Sequence, residues 1–363
     1  MNVHVSRIQL ENFRNFESVD YAFRPEGTAI RGDNGRGKSN LLESIFFLAV
    51  AKSGRGTKDR DVVRWGAEHY VITAEVERED HNFGIRVAYD RRSQKKRVFL
   101  DESPLERLSD LVGHFNAVLF SPEDVDLVLR DPSERRRLLD ILVSQSSHAY
   151  LSDLEQYRRI LSQRNHLLRT QGWKLTQDSG PLEPWDQQIS EFGARVIHQR
   201  VAAVDRIQAP LDELYAAISP SSEKLSVDYR CSGLGDDEGA TRKTIHDLMK
   251  EKRCDEVNVG YTLVGPHRDQ VVFKLDGYPV HKFGSKGQMK SVLLAWKMSE
   301  ARFLASETGF KPVLLMDDIF SELDKKRANA VLDLIGEYGQ NVLATARDPD
   351  LDLVGRGYES IEL

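Results

Sequence analysis

Residues 32–39 read Gly32-Asp33-Asn34-Gly35-Arg36-Gly37-Lys38-Ser39, a G-x-x-x-x-G-K-S loop whose flanks decide its meaning. Ahead of it, residues 28–31 have the character of a short strand. Behind it, Asn40-Leu41-Leu42-Glu43-Ser44-Ile45-Phe46-Phe47-Leu48-Ala49-Val50 reads as a buried helix. Strand, glycine-rich loop and helix in that order are the context that makes such a match a phosphate-binding P-loop rather than an ordinary turn. The glycines let successive backbone N–H groups turn inward around a phosphate, and the helix N-terminus presents partial positive charge to it. In this reading the residues from Gly32 to Asn40 line a nucleotide, Lys38 reaches its β and γ phosphates, and Ser39 coordinates Mg2+.

A P-loop needs a second carboxylate for the metal. The apolar run Val313-Leu314-Leu315-Met316 ends in Asp317-Asp318. A hydrophobic strand thereby delivers Asp317 to Mg2+, and Asp318 is placed to orient or deprotonate an attacking water. A buried strand that merely ends in an acidic turn is the plain alternative. Between the two motifs, Phe283-Gly284-Ser285-Lys286-Gly287-Gln288 stands ahead of a helical run over 289–304, a second anion-binding corner with Ser285 and Gln288 as its functional candidates. Because the P-loop already serves its own nucleotide, this corner suits the nucleotide of a facing subunit.

The 363 residues are 40% apolar and 30% charged, a globular composition long enough for about two domains. A net charge of −6 excludes a basic surface all round, so contact with nucleic acid requires local patches. Arg91, Arg92, Lys95, Lys96 and Arg97 form such a run, between a solvated hairpin tip and a DNA contact in its possible roles. Arg135, Arg136 and Arg137 lie on a helix and point in different directions, with Arg135 the candidate to face DNA and the others to pair with acids. No aromatic residue alternates with either cluster, which favours reading duplex backbone over stacking on bases. Cys231 and Cys254 fit neither a redox pair nor a zinc site, the N-terminal stretch has no apolar leader, and the longest apolar run, residues 45–51, is far below the ~20 that a membrane span requires. A reduced, cytoplasmic protein is expected.

The chain order suggests an antiparallel β meander over 70–100, a helical region over 124–215 broken by a loop at 176–184, one strand within the turn-rich stretch 219–239, and strands VVFKL, PVLLM and NVLAT beyond residue 258.

Together, GDNGRGKSNLLESI (32–45), GSKGQMK (284–290) and LLMDDIFSELD (314–324) resemble the ABC-type ATPases of the SMC and RecF group. LENFRNF (10–16), LFSPEDVDLVLRDPSERRRLLD (119–140) and TLVGPHRDQ (262–270) are similar to the RecF family in particular. The resemblance implies an α/β fold: an ABC-type P-loop ATPase head with a mixed sheet and an antiparallel β subdomain, built from residues 1–123 and 258–363, with a mainly helical lobe inserted at 124–257. It implies that Ser285 is the signature serine, acting in trans when two subunits close head to tail over two ATP molecules, and that Ser321-Glu322-Leu323-Asp324 is the D-loop. It further implies an ATP-dependent homodimer with weak, DNA-dependent ATPase activity that binds double-strand to single-strand junctions at gaps and works with RecR and RecO to load RecA. In this group the arginine matching Arg14 looks toward the nucleotide; a solvated turn arginine is the other reading. His267 and Arg268 are open between nucleotide sensing, DNA contact and a structural role. Departures from the wider ABC pattern are Asp318 in place of glutamate, which suits slow hydrolysis, the absence of a switch histidine in residues 341–346, where Thr345 takes the position, and the absence of a Q-loop glutamine, for which Glu123 or Asp124 substitutes. Competing readings are an SMC-like ATPase with another DNA-maintenance role, a transporter nucleotide-binding subunit, disfavoured by the long insert, and a P-loop nuclease, disfavoured by the short segment after Asp318.

Lys38→Met is expected to abolish ATP binding in equilibrium dialysis. DNA binding by that variant at wild-type strength contradicts an ATP-gated reading.

Overall fold

Runs of consecutive buried apolar residues cannot alternate between core and solvent, so they settle in a parallel sheet covered on both faces. In the computed structural model Ala117–Phe120 (β8), Val313–Asp317 (β12) and Asn341–Thr345 (β13) are buried at every position. With Gly27–Arg31 (β3) and Glu359–Glu362 (β14) they form a five-stranded sheet in the order β14-β3-β13-β12-β8, every pairing parallel. The structure describes residues 2–363 except 55, 80, 122–123, 125–130, 176–179, 220, 323–324 and 346–352, with the side chains of 173–175 and 321–322 also left aside.

Alternating residues build the second sheet. Val3–Phe13 (β1), Phe16–Ala22 (β2), His69–Arg78 (β4), Asn82–Asp90 (β5), Lys95–Leu100 (β6) and Ser103–Pro104 (β7) pair antiparallel in the order β2-β1-β4-β5-β6-β7. In β5, Phe83, Ile85, Val87 and Tyr89 point inward while their neighbours face out. The helix after the glycine-rich loop, Lys38–Val50 (α1), packs on both sheets and buries Leu41, Leu42, Ile45, Phe46, Phe47 and Leu48. Each of these side chains contributes about 1.5–3 kcal/mol through burial. Phe47 meets Phe13 and Tyr70 edge-on, with ring centroids 6.2 and 5.8 Å apart. The short helix Asp59–Val62 (α2), the long helix Lys286–Thr308 (α9) and Lys325–Gly336 (α10) complete this unit, which comprises Met1–Leu127, Pro210–Lys224 and Gly284–Leu363.

The second unit, Val128–Ala209 and Leu225–Phe283, contains Pro132–Ser146 (α3), His148–Leu175 (α4), most of Glu183–Ile218 (α5), Glu238–Glu251 (α6), Arg253–Val259 (α7) and Val280–Phe283 (α8). It also holds a three-stranded antiparallel sheet of Leu225–Arg230 (β9), Gln270–Leu275 (β10) and Tyr278–Pro279 (β11), in the order β11-β10-β9. Its apolar core gathers Tyr157, Ile160, Ile189, Ile197, Ile245, Met249 and Val264. Beside that core Arg164, fully buried, donates to Asp186 at 2.7 Å, Glu256 at 2.6 Å and Thr262 at 2.9 Å. A buried guanidinium is tolerable only when charge and hydrogen bonds offset its desolvation, and here each of its three nitrogens has a partner, two of them carboxylates. Arg200 repeats the device with Asp140 at 2.7 Å and the Pro266 carbonyl at 2.8 Å.

The inserted lobe therefore departs from the expected bounds of 124–257. It returns residues 210–224 to the first unit and retains everything up to Phe283, because β10 must stay with its partner β9 and carries residues 258–283 along. In consequence the GPHRD segment belongs to the second unit. His267 is held there between the Tyr157 hydroxyl, 2.5 Å from Nδ1, and the Thr262 carbonyl, 3.0 Å from Nε2. A carbonyl can only accept, so Nε2 carries the proton and Nδ1 accepts from Tyr157. No described helix is long and apolar enough to cross a membrane.

Burial lowers the His267 pKa from 6.5 to about 4, and burial raises that of Asp269 from 3.8 to about 6. Between pH 6.5 and 4 the two act in opposite directions. The unfolded chain protonates His267 where the folded one refuses, so acidification destabilises. The folded chain protonates Asp269 before the unfolded one does, so acidification stabilises. Asp269→Asn removes only the second effect, and its urea midpoint is expected to fall more steeply than the wild type's as pH drops through this window. Parallel curves contradict the assignment.

Candidate functional site

In an open α/β sheet, ligands bind beyond the C-terminal ends of the parallel strands. Register sets what meets there. Thr345 pairs with Arg31, and Ala344 with Asp317, so the end of β13 lies between the strand that launches the glycine-rich loop and the strand that delivers the paired aspartates. The result is a hydrogen bond between residues 278 positions apart: Ser39 Oγ donates to Asp317 Oδ1 at 2.8 Å. Asp317 is buried, and Asp318 follows in a left-handed turn, φ +47°, its N–H given to the Ala344 carbonyl at 2.9 Å. Thr345 is buried next to that carbonyl.

The loop itself depends on backbone that only glycine adopts without strain. Gly37 has φ +111°, and a Cβ there would come 2.5 Å from the Asn15 amide. Lys38 is buried, with its ammonium donating to the carbonyls of Gly32 at 2.8 Å and Asp33 at 3.0 Å. Those are neutral acceptors, which charged phosphate oxygens outcompete. Asn34, Gly35 and Arg36 form the exposed crest, and Asn40 sits in the first turn of α1. Asn15 was not singled out in the sequence, yet it fixes the crest from outside: its Nδ2 donates to the Arg36 carbonyl at 2.8 Å and its Oδ1 accepts from Asn40 Nδ2 at 2.8 Å. The signal available was an asparagine in the β1–β2 turn ahead of a glycine-rich loop, which spacing alone does not connect to that loop.

Ser39 Oγ and Asp317 Oδ1 offer converging hard oxygens, a donor set that fits Mg2+, which retains waters and substrate phosphates as its other ligands. Among the described residues no group of three or more His, Cys, Asp or Glu forms a dedicated metal cage.

Other expected site residues stand apart from this cluster. Arg14 forms a two-pronged pair with buried Glu43, Nε to Oε2 at 3.0 Å and Nη2 to Oε1 at 2.9 Å, and also reaches Thr57 at 3.0 Å. In this structure it braces α1 rather than facing the loop. Ser285 is exposed and caps α9: its hydroxyl accepts from the Gln288 N–H at 3.2 Å while its own N–H donates to Gln288 Oε1 at 2.8 Å. Gln288 further donates to Glu223 at 2.7 Å. Of the D-loop, Leu323 and Asp324 lie outside the described residues, as does Glu123. Asp124 is described, and its charge raises the pKa of buried Glu300 further than burial alone, against the opposing pull of Lys297 and Trp296.

The two cationic clusters need one correction each. Lys96 points inward: its ammonium donates to Asp59 at 2.6 Å and to the carbonyl of Ala51, the C-cap of α1, at 2.7 Å, and lies 4.8 Å from the centre of the Phe47 ring. Burial pushes its pKa down. It neutralises the negative end of α1 and is unavailable to DNA. Arg135 is likewise buried, its Nε donating to the Val271 carbonyl at 2.5 Å. The neighbouring Arg136 is spent on the Asp269 carbonyl and Arg137 on Glu134. Arg91, Arg92, Lys95 and Arg97 remain exposed at the β5–β6 hairpin.

Asn15→Ala removes two hydrogen bonds that shape the loop, and nucleotide affinity is expected to fall roughly fivefold, about 1 kcal/mol, with little change in thermal stability. Unchanged affinity in a titration with a fluorescent ATP analogue contradicts the brace.

Comparison with known proteins places this geometry. The family model for the RecF/RecN/SMC N terminal domain matches residues 4–351. The DNA replication and repair protein RecF of Lachnoclostridium phytofermentans is 36% identical over 334 residues, covering 91% of this chain and 89% of that protein. A solved structure of the recombination mediator protein RecF with ATP, described within the RecFOR pathway, superposes with a TM-score of 0.89 at 30% identity, over 97% of this chain and 94% of that one. An Smc head domain with an extended coiled coil from Pyrococcus furiosus shares the fold alone, with a TM-score of 0.54 at 17% identity over 98% of this chain and 92% of that one. By its domain match, by its identity to DNA replication and repair proteins along nearly its whole length, and by the loop-to-strand geometry above, the chain belongs to the RecF branch of the RecF/RecN/SMC family.

Proposed function

We propose that the chain is an ATP-operated switch on DNA: two copies close over two ATP molecules, clamp DNA at double-strand to single-strand junctions of gaps, and with RecR and RecO promote RecA loading. Slow hydrolysis then releases the DNA. The observation that carries this reading is the 2.8 Å contact between Ser39 and Asp317, which ties the phosphate loop to the acidic strand end. The family's names in replication, repair and the RecFOR pathway supply the setting.

In this reading Lys38 exchanges its two carbonyl partners for the β and γ phosphates, and the backbone N–H groups of the loop with the N-terminus of α1 hold the rest of the triphosphate. Ser39 and Asp317 would hold Mg2+, which would offset charge on the γ-phosphate. Asp318 orients the attacking water. As the shorter of the two acids it reaches less far than glutamate, which keeps turnover slow.

Ser285 bears on the dimer. Ser285 is an exposed serine at the N-terminus of the long helix α9, the end that carries partial positive charge, so its hydroxyl can meet the γ-phosphate bound to a second copy. Its intrachain bonds are those of a helix cap, which a ligand can share. Ser285→Arg is expected to leave ATP binding within about twofold of wild type, since the site of the same chain is untouched, and to abolish ATP-dependent dimerisation in size-exclusion chromatography with light scattering. A variant that still dimerises with ATP contradicts action across the interface.

A further inference from the structure

Among the described large apolar side chains Trp65 is the most exposed, at 95%. Among the described residues its ring meets no other ring and no cation. The turn that carries it is well built. Ala67 N–H closes onto the Arg64 carbonyl at 3.0 Å, Arg64 N–H donates to Asn12 at 2.8 Å and its guanidinium to Glu17 at 3.0 Å, and Gly66 supplies φ +84°. The indole thus projects from a fixed base rather than a loose loop.

What lies next to that turn is informative. Glu68 accepts the Arg91 N–H at 2.7 Å and pairs with Arg92 at 3.5 Å, and His69 stands opposite Asp90 in the β4–β5 ladder. Trp65 is therefore within three residues, at most about 10 Å of chain, of the cationic hairpin tip. At that tip Arg91, Lys95 and Arg97 are exposed and carry no ion pair among the described residues. Three exposed cations at one hairpin with a bare indole beside them are complementary to a strand that offers phosphate and base face together. An intact duplex offers only the first, because its base faces are covered by their neighbours. A duplex end at an interruption offers both.

We propose that Trp65 stacks on the exposed base at such an interruption while Arg91, Lys95 and Arg97 hold the adjoining phosphates. This rests on the DNA-binding reading above and adds to it the residue that tells a gap from unbroken duplex. It also amends the expectation from sequence, which favoured reading duplex backbone over stacking on bases. The tryptophan that complements the hairpin lies about 25 positions upstream and reaches it only through strand pairing.

The experiment measures binding of the full chain, with ATP and Mg2+, to a fluorescent duplex that is intact or carries a single-stranded gap. Trp65→Ala is expected to weaken binding to gapped DNA about tenfold and to leave intact duplex unchanged, with Trp65→Phe recovering most of the loss. The side chain is solvent-exposed, so neither variant perturbs folding. Equal weakening on both DNAs, or none on either, overturns the stacking role and leaves the DNA reading standing. Arg91→Ala, Lys95→Ala and Arg97→Ala together are expected to weaken both DNAs and flatten the salt dependence. An unchanged slope overturns the hairpin as a DNA contact and the proposal with it.

Discussion

The hydrogen bond from Ser39 to Asp317 is the constraint on which the rest of the head turns. Two residues at opposite ends of the chain can meet at 2.8 Å only if the strands that carry them end at the same level, and parallel pairing with β13 between them secures that level. Everything that fixes those strands, including the uninterrupted burial of β8, β12 and β13, serves to hold these two oxygens together. The mechanism places no demand on the chain's order, only on this convergence.

The helix that follows the loop is secured at both ends by charge. Arg14 grips buried Glu43 in its first half, with Ser53 also donating to that carboxylate, and Lys96, from β6, donates to the carbonyl of Ala51 at its C-cap. Both cations come from the antiparallel sheet, so the sheet does more than cover apolar surface. It positions the helix that follows the glycine-rich loop, while Asn15 in the same sheet's first turn holds the crest of the loop. A guanidinium held by two hydrogen bonds to a buried carboxylate is strong and directional, which makes the antiparallel sheet a mount for the loop.

Much of this was legible in the sequence because the motifs are local. The glycine-rich loop, the aspartate pair and the capping serine each announce themselves within eight residues, and each lies on the predicted element. The misread residues are those whose partners are remote. Arg135 looks like one of three surface arginines until β10 is placed beside its helix and takes its Nε. Lys96 was readable in part, since in a strand it shares parity with inward-facing Val98, but nothing local says that a helix C-terminus waits beneath it. The lobe boundary failed for a similar reason: β9 and β10 are a pair separated by two helices, and only their pairing assigns residues 258–283. Asn15 and Trp65 act through space on segments that spacing does not connect to them.

The central claim is that ATP joins two copies and that the joined form holds DNA. Sedimentation velocity of the full chain, alone, with ATP and Mg2+, and with ATP, Mg2+ and gapped duplex, tests it in one series. The account predicts a monomer alone, a dimer with ATP, and a dimer cosedimenting with the DNA only when ATP is present. A chain that stays monomeric with ATP, or that carries DNA equally well without it, contradicts the account.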